Sequence, residues 1–291
     1  MIYEVSHRTV YRYSTPVVQS QHVLHMSPRA VARQTVKGHA LLIDPAPTIR
    51  TERDDYDGNR AVMFDIEQEH HELIIHARST IDVSSPPQID LAASMPWEAL
   101  VARVGQSAPE NDLSVVRYAC ASRLTRPTVE IAEYARASFP ANRPVLMAAW
   151  ELIKRIYADF VFDATATDVS TPVTTVLQQR RGVCQDFSHL ALACLRALHL
   201  PARYVSGYIL TRPPPGQQKL AGADASHAWI SVYAPEFGWV DFDPTNGLMP
   251  RDEHITIAYG RDYDDVSPIS GILLGGSEHQ VAVGVDVVPL R

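Results

Sequence analysis

Three residues in the C-terminal half of the chain have the types and the order needed for nucleophilic catalysis. Cys184 is followed by His227 and then by Asp243. A cysteine thiolate can attack a carbonyl carbon, a histidine can take up a proton and return it to the leaving group, and a carboxylate can orient the histidine. One residue of each type, taken alone, is usually structural. The surrounding sequence must therefore bring the three side chains together.

Cys184 begins a predicted helix. Gly182 and Val183 form a turn before it, and Pro201 ends the helix that follows. The apolar positions at helical spacing are Phe187, Leu190, Ala191, Cys194, Leu195 and Leu198. Free backbone N–H groups and the positive end of the helix dipole meet in the first turn, where they favour a thiolate and could stabilise an oxyanion. For an isolated cysteine, a buried structural role is the more frequent alternative.

His227 and Asp243 lie at adjoining ends of a predicted hairpin. Residues 227–233 and 238–243 have strand character, with a turn at 235–238 between them. The start of one strand and the end of its antiparallel partner are neighbours, so the carboxylate can reach the imidazole. The sequence thus predicts that Asp243 orients His227 and that His227 forms a thiolate–imidazolium pair with Cys184.

Two further residues are candidates for substrate binding. Gln185 follows the cysteine in the first helical turn, and Trp229 alternates to the same strand face as His227, where it would wall the cleft. Packing in the core is the favoured alternative for Trp229. His189 has no orienting carboxylate in the sequence and is not expected to be the base. The 12 histidines include no HExxH motif and no paired CxxC accompanies them, so we expect no metal and no cofactor.

The elements that position these residues fall into two predicted domains. Residues 1–83 are β-rich and predict an antiparallel, sandwich-like domain whose first strand ends at Pro16. The strand-like runs are 3–13, 36–44, 61–67 and 72–83. The stretch 84–87, Ser-Ser-Pro-Pro, is the expected boundary. Residues 84–291 then comprise a helical segment and the catalytic core, to which we assign the late strand-like runs 254–258, 281–283 and 285–288. Helix 144–160 should pack against the Cys184 helix.

Composition narrows the class of partner. A net charge of −7 and a pI near 5.9 provide no positive field for nucleic acid or an anionic membrane. The first residues lack a basic segment followed by an apolar run, and no apolar stretch approaches the roughly 20 residues that span a bilayer. We therefore expect no signal peptide and no membrane partner. The 3 cysteines are too few for a disulfide framework and favour a cytoplasmic location.

Three blocks of this sequence resemble the catalytic blocks of the transglutaminase-like superfamily. They are residues 182–187, 224–229 and 238–246. More narrowly, residues 3–13, 57–59 and 260–268 are similar to bacterial members that carry their own N-terminal β domain. The resemblance implies an α+β fold in which that domain precedes a papain-like core, with the Cys-bearing helix packed on an antiparallel sheet. It also implies acyl transfer through a thioester, with water or an amine as the second substrate.

The function expected from these observations is that of a cysteine peptidase, amidase or acyltransferase that acts on a peptide or amide substrate. Hydrolysis is slightly favoured over transamidation, because water is the default acceptor unless the site excludes it. A non-catalytic binding or assembly protein on the same scaffold is the alternative. Residues 1–83 could support a homo-oligomer, although a structural role is favoured. The sequence leaves open the substrate identity and the second oxyanion donor.

Overall fold

Strands dominate both ends of the chain, and helices its middle. The computed structural model describes residues 1–105, 113–211 and 226–290. The strands are β1 (Ile2–Leu24), β2 (Gln34–Asp44), β3 (Ile49–Asp54), β4 (Arg60–Ile66), β5 (His70–Val83), β6 (Val161–Phe162), β7 (Arg181–Gly182), β8 (Ala202–Ile209), β9 (Ser226–Ala234), β10 (Gly238–Phe242), β11 (His254–Gly260), β12 (Ile269–Gly275) and β13 (His279–Leu290). The helices are α1 (Trp97–Gly105), α2 (Leu113–Ala119), α3 (Val129–Arg136), α4 (Val145–Asp159), α5 (Val173–Gln179) and α6 (Cys184–Ala197). Within the described ranges, none of the helices has both the length and the apolar character needed to cross a membrane.

The longest strand, β1, passes through Pro16, where the sequence led us to expect its end. The pairing of β1 with β5 is irregular between Arg12 and Val17, and the proline lies inside this interval. Proline has no N–H to donate to the neighbouring strand, so a strand interior tolerates a proline where the pairing is irregular. The predicted strand end at Pro16 is therefore wrong, because β1 continues to Leu24 beyond it.

β1 is also the centre of a 7-stranded antiparallel sheet. Residues 2–12 pair with both β5 and β13, whereas residues 20–24 pair with both β4 and β12. This change of partners produces one curled sheet, so the antiparallel β-rich region is confirmed but does not form two separate sheets. β12 and β13 complete this sheet from the end of the chain. Of the late strands expected in the catalytic core, the one at 254–258 forms β11 and pairs with β8, whereas those at 281–283 and 285–288 form β13, whose hydrogen bonds go to β1.

A second, 4-stranded sheet has the order β10-β9-β8-β11 and packs against α6. Every residue of α6 from Asp186 to Arg196 is buried. The expected wall is provided by α4, whose Leu146, Ile153 and Ile156 are 0% exposed and share one apolar core with α6 and the sheet. Each such side chain contributes about 1.5–3 kcal/mol when fully buried. The predicted core, a Cys-bearing helix on an antiparallel sheet, is confirmed.

Two side-chain amides of the N-terminal region take the place of a missing neighbour for β11, an edge strand of the second sheet. Gln34 donates to the carbonyl of Thr256 (2.7 Å) and accepts from its N–H (2.8 Å). Asn59 donates to the carbonyl of Tyr259 (2.8 Å) and accepts from its N–H (2.8 Å). A buried strand edge without such partners would leave peptide groups unpaired. These contacts therefore dock the curled sheet against the core that carries Cys184.

Candidate active site

The start of α6 presents Cys184 as its first residue, half-buried. The backbone N–H of the preceding Val183 donates to Asp186 Oδ2 at 2.8 Å, and Thr167 Oγ1 donates to the same oxygen at 2.6 Å. A Cβ on Gly182 would lie 2.6 Å from that oxygen, so glycine allows the carboxylate to fold back here. The Asp186 carboxylate thereby accepts a backbone N–H from the residue before α6, and this contact caps the first turn of the helix.

His227 links the other two predicted residues. It is the second residue of β9, and Asp243 directly follows β10, the strand beside β9. His227 Nε2 lies 2.7 Å from Asp243 Oδ2, and Cys184 lies close enough to the imidazole to raise its pKa. Because Nε2–H donates to the carboxylate, Nδ1 is the nitrogen left for the thiol. The three side chains thus lie together, and the imidazole is hydrogen-bonded to the carboxylate.

The Asp243 carboxylate is 0% exposed and held by several donors. Oδ1 accepts the backbone N–H groups of Thr245 (2.9 Å) and Asn246 (3.1 Å), and Oδ2 also accepts the Asn246 amide at 2.7 Å. The turn after β10 therefore wraps its own backbone around the carboxylate, as Asp-Pro-Thr-Asn turns can. Burial opposes the negative charge, but hydrogen bonds from His227 and His254 outweigh it and hold the pKa of Asp243 well below its usual range.

The same contacts favour a charged imidazole. Burial of His227 lowers its pKa, but its hydrogen bond to Asp243, its contact with Cys184 and the negative charge of Asp243 raise that pKa to about 10. An imidazolium opposite a thiolate is the resting state that nucleophilic cysteine chemistry requires.

This shift predicts how stability depends on pH. Below the ordinary histidine value of 6.5 the ring is charged in both the folded and unfolded chain, and its contribution to stability is fully present. Between pH 6.5 and about 10 only the unfolded chain loses the proton, so the contribution declines and is gone above the folded-state value. Urea unfolding across this window should show the decline in the native protein and a smaller one in His227→Gln. Equal slopes would contradict the raised pKa.

One neighbour of the predicted residues was missed by sequence reasoning. His254, the first residue of β11, is 2% exposed, and its Nε2 lies 3.1 Å from Asp243 Oδ2. Its ring packs edge-on against Trp229, with 5.2 Å between ring centroids. The sequence showed a strand near 254–258, but nothing indicated that this strand lies beside β8 and so reaches Asp243.

The two substrate-binding candidates have other partners. Gln185 donates its amide to the carbonyl of Val169 at 3.2 Å, so it ties the segment before α5 to the start of α6. Trp229 is 0% exposed, and its ring lies behind His227 at 6.0 Å between centroids. Trp229 therefore does not wall the cleft, and the favoured alternative of core packing holds. The reason is that β9 is buried on both faces, so alternation did not identify an exposed side.

His189, five residues after Cys184 in the sequence, makes a structural hydrogen bond. It is 2% exposed, and its Nε2 accepts the backbone N–H of Tyr263 at 3.1 Å. Burial lowers its pKa to about 4, so the ring is neutral and can accept this bond.

The donor atoms of His227, Asp243 and His254 lie within 4.8 Å of one another, which is close enough to suggest a metal site. Two imidazoles and a carboxylate are ligands that Zn²⁺ accepts. Both rings, however, direct Nε2 at the same carboxylate oxygen, and the Asn246 amide donates to that oxygen as well. N–H groups converging on one oxygen leave no lone pairs for a cation, so the described contacts fit a hydrogen-bond network.

Comparisons with known proteins agree with this architecture. The family model described as the bacterial transglutaminase-like N-terminal region matches residues 3–82, and that of the transglutaminase-like superfamily matches residues 134–244. A protein of Mycobacterium tuberculosis described as uncharacterized is 43% identical, over 99% of this chain and 93% of its own length. A protein-glutamine gamma-glutamyltransferase of Pseudomonas aeruginosa is 36% identical over 73 residues, which cover 25% of this chain and 11% of that enzyme.

Among solved structures, a Cytophaga hutchinsonii protein provisionally described as a cysteine protease superposes with a TM-score of 0.73. The match covers 100% of this chain and 92% of that one at 20% sequence identity, and so speaks for a shared fold. The second family model includes Cys184, His227 and Asp243, while the first coincides with β1 to β5. With a 43% identical relative over almost the whole length, the chain belongs to the transglutaminase-like superfamily and carries its bacterial N-terminal region.

Proposed function

We propose that this protein is a cysteine-dependent acyl-transfer enzyme that acts on amide or peptide bonds through a thioester on Cys184. The observation that supports this most is the meeting of Cys184, His227 and Asp243 from three separate parts of the fold, with the imidazole hydrogen-bonded to the carboxylate and close to the thiol. The raised pKa of His227 adds to it, since the base is held in the protonated form that a thiolate needs as its partner.

The chemistry follows from the positions of these groups. Cys184 Sγ attacks the carbonyl carbon, and the C–N bond breaks as His227 passes its Nδ1 proton to the leaving amine. Water or an amine then attacks the thioester and gives its proton to His227, and Sγ departs as a thiolate. Backbone N–H groups in the first turn of α6 would stabilise the oxyanion of each step. Asp243 stays ionised and keeps the imidazole in the required tautomer.

We favour water as the acceptor, so that the activity is that of a peptidase or amidase, with transamidation as the variant when an amine occupies the second site. The name of the Pseudomonas aeruginosa relative makes the side-chain amide of glutamine the first acyl donor to test. A reducing compartment such as the cytoplasm belongs to the proposal, because Cys120, Cys184 and Cys194 are all free thiols.

The test is to incubate the protein with glutamine-containing peptides, with and without a primary amine, and to identify products by mass spectrometry. An acid quench should trap an acyl adduct on Cys184. Free acid or cleaved peptide would support hydrolysis, and an amine-linked product would support transamidation. Peptide binding without either product or adduct would contradict the proposal and favour the binding-protein alternative.

A further inference from the structure

His254 reaches Asp243 from the far side of the second sheet. Asp243 follows β10 at one edge of that sheet, whereas His254 opens β11 at the other. Between them, on β8, stands Gly207, which pairs with both His227 and Thr256. A Cβ there would lie 2.5 Å from the Trp229 ring and 2.1 Å from a carbonyl of β11. The missing side chain thus lets Trp229 cross β8.

The donors on Asp243 fall into two groups. The N–H groups of Thr245 and Asn246, and the Asn246 amide, belong to the turn that carries Asp243 and move with it. Among the described contacts, only His227 and His254 reach the carboxylate from other strands. His227 is the group to be oriented, so His254 is the remaining contact that fixes the carboxylate relative to the sheet.

His254 is itself held firmly. Its ring packs against Trp229, an indole with 0% exposure, at an interplanar angle of 86°. Arg33 from the N-terminal region donates to its backbone carbonyl at 3.1 Å and also pairs with Asp241 at 3.3 Å. Nδ1 of His254 is buried with no hydrogen-bond partner among the described residues, so the described side-chain hydrogen bond of this ring is the one from Nε2–H to Asp243.

We infer that His254 is a positioning residue, which donates its Nε2–H to Asp243 and thereby holds the carboxylate where it orients His227. This inference rests on the proposed function and deepens it. No described contact joins His254 to Cys184, and its ring lies 5.9 Å from that of His227, centroid to centroid. It acts through Asp243, as outer partners of catalytic and metal-binding histidines do.

Alkylation of Cys184 by iodoacetamide tests this without knowledge of the substrate. His254→Phe keeps a ring but removes the donor, so alkylation near neutral pH should slow by about tenfold and its acid limb should move to higher pH. His254→Gln places an amide N–H near the position of Nε2 and should restore most of the rate. His254→Asn offers the same amide on a shorter side chain and should not. Peptide mass spectrometry separates Cys184 from the exposed Cys120, which serves as the internal reference.

The control is His22→Phe. His22 is another buried histidine, 7% exposed and stacked on Phe64 in the curled sheet, with a buried, unpartnered Nε2. It should leave the alkylation of Cys184 unchanged. Circular dichroism and thermal unfolding establish that each variant is folded.

The outcomes separate the inference from the function on which it rests. If Cys184 in the native protein reacts no faster than in His227→Ala, the proposed function fails, whatever His254 does. If the native protein reacts fast and folded His254→Phe reacts equally fast, the positioning role is wrong. Should His254→Phe not fold, the comparison of His254→Gln with His254→Asn tests the inference instead. Equal alkylation rates of Cys184 in these two variants would overturn it.

Discussion

Replacing Cys184 with alanine is expected to lower turnover by on the order of 10³-fold or more, because single-residue loss of an activated nucleophile removes the covalent route. The acyl adduct should disappear with the activity. Folding should be retained, since the side chain is half-buried at a helix start and alanine is a good helix former. Turnover of glutamine-containing peptides, with intact-protein mass spectrometry, measures both effects.

The other two cysteines provide matched controls. Cys120 is exposed, and Cys120→Ala should leave turnover unchanged. Cys194 is 0% exposed within α6, and burial raises the pKa of its thiol to about 12, so Cys194→Ala should affect stability more than chemistry. Unchanged turnover in Cys184→Ala, or a comparable loss in Cys120→Ala, would show that the thiolate at the helix start is not the nucleophile.

Replacing Arg196 with leucine is expected to lower the free energy of unfolding by about 3–5 kcal/mol, because several buried acceptors lose their donor and each costs about 1–3 kcal/mol. Arg196 is 2% exposed on α6. Its guanidinium donates to the carbonyls of Ala202 (3.0 Å) and Arg261 (2.6 Å) and to Ser122 Oγ (3.0 Å). Leucine fills much of the space but leaves these buried acceptors without donors.

The contacts of Arg196 explain why the effect should be large. Burial lowers the pKa of its guanidinium to about 10, so the charge is retained at neutral pH. The side chain joins α6 to the start of β8 and to the segment after β11, and thus connects the helix that carries Cys184 with the sheet that carries His227. Urea unfolding measures the loss, with Arg136→Leu, an exposed arginine of α3, as the control. A loss below about 1 kcal/mol, the level of surface substitutions, would contradict this role.

The positions of the candidate site residues were largely predictable, because local sequence patterns place each of them at the end of a helix or strand. A turn, a cysteine and an apolar repeat place Cys184 at a helix start, and the hairpin signal brings His227 beside Asp243. Each of these inferences needs only neighbours within about twenty residues, where backbone periodicity decides the geometry. The distance of 2.7 Å between His227 and Asp243 agrees with that reasoning.

Other features depend on which strands become neighbours across long stretches of chain. His254 meets Asp243 only because β11 pairs with β8, and β13 joins β1 although about 270 residues separate them along the chain. The environment of Trp229 stayed open between cleft and core, because alternation distinguishes two faces but not whether both are covered. Pro16 interrupts a ladder without ending the strand, since pairing resumes at Val17.

The sequence by itself thus determined the family, the order of the catalytic candidates and the elements that carry them. The tertiary structure decided how the site is supported: Gln34 and Asn59 close the edge of β11, and His254 on that strand then holds Asp243. The physical reason is that hydrogen-bond partners of buried polar groups are chosen by packing across the whole chain, which local periodicity does not encode.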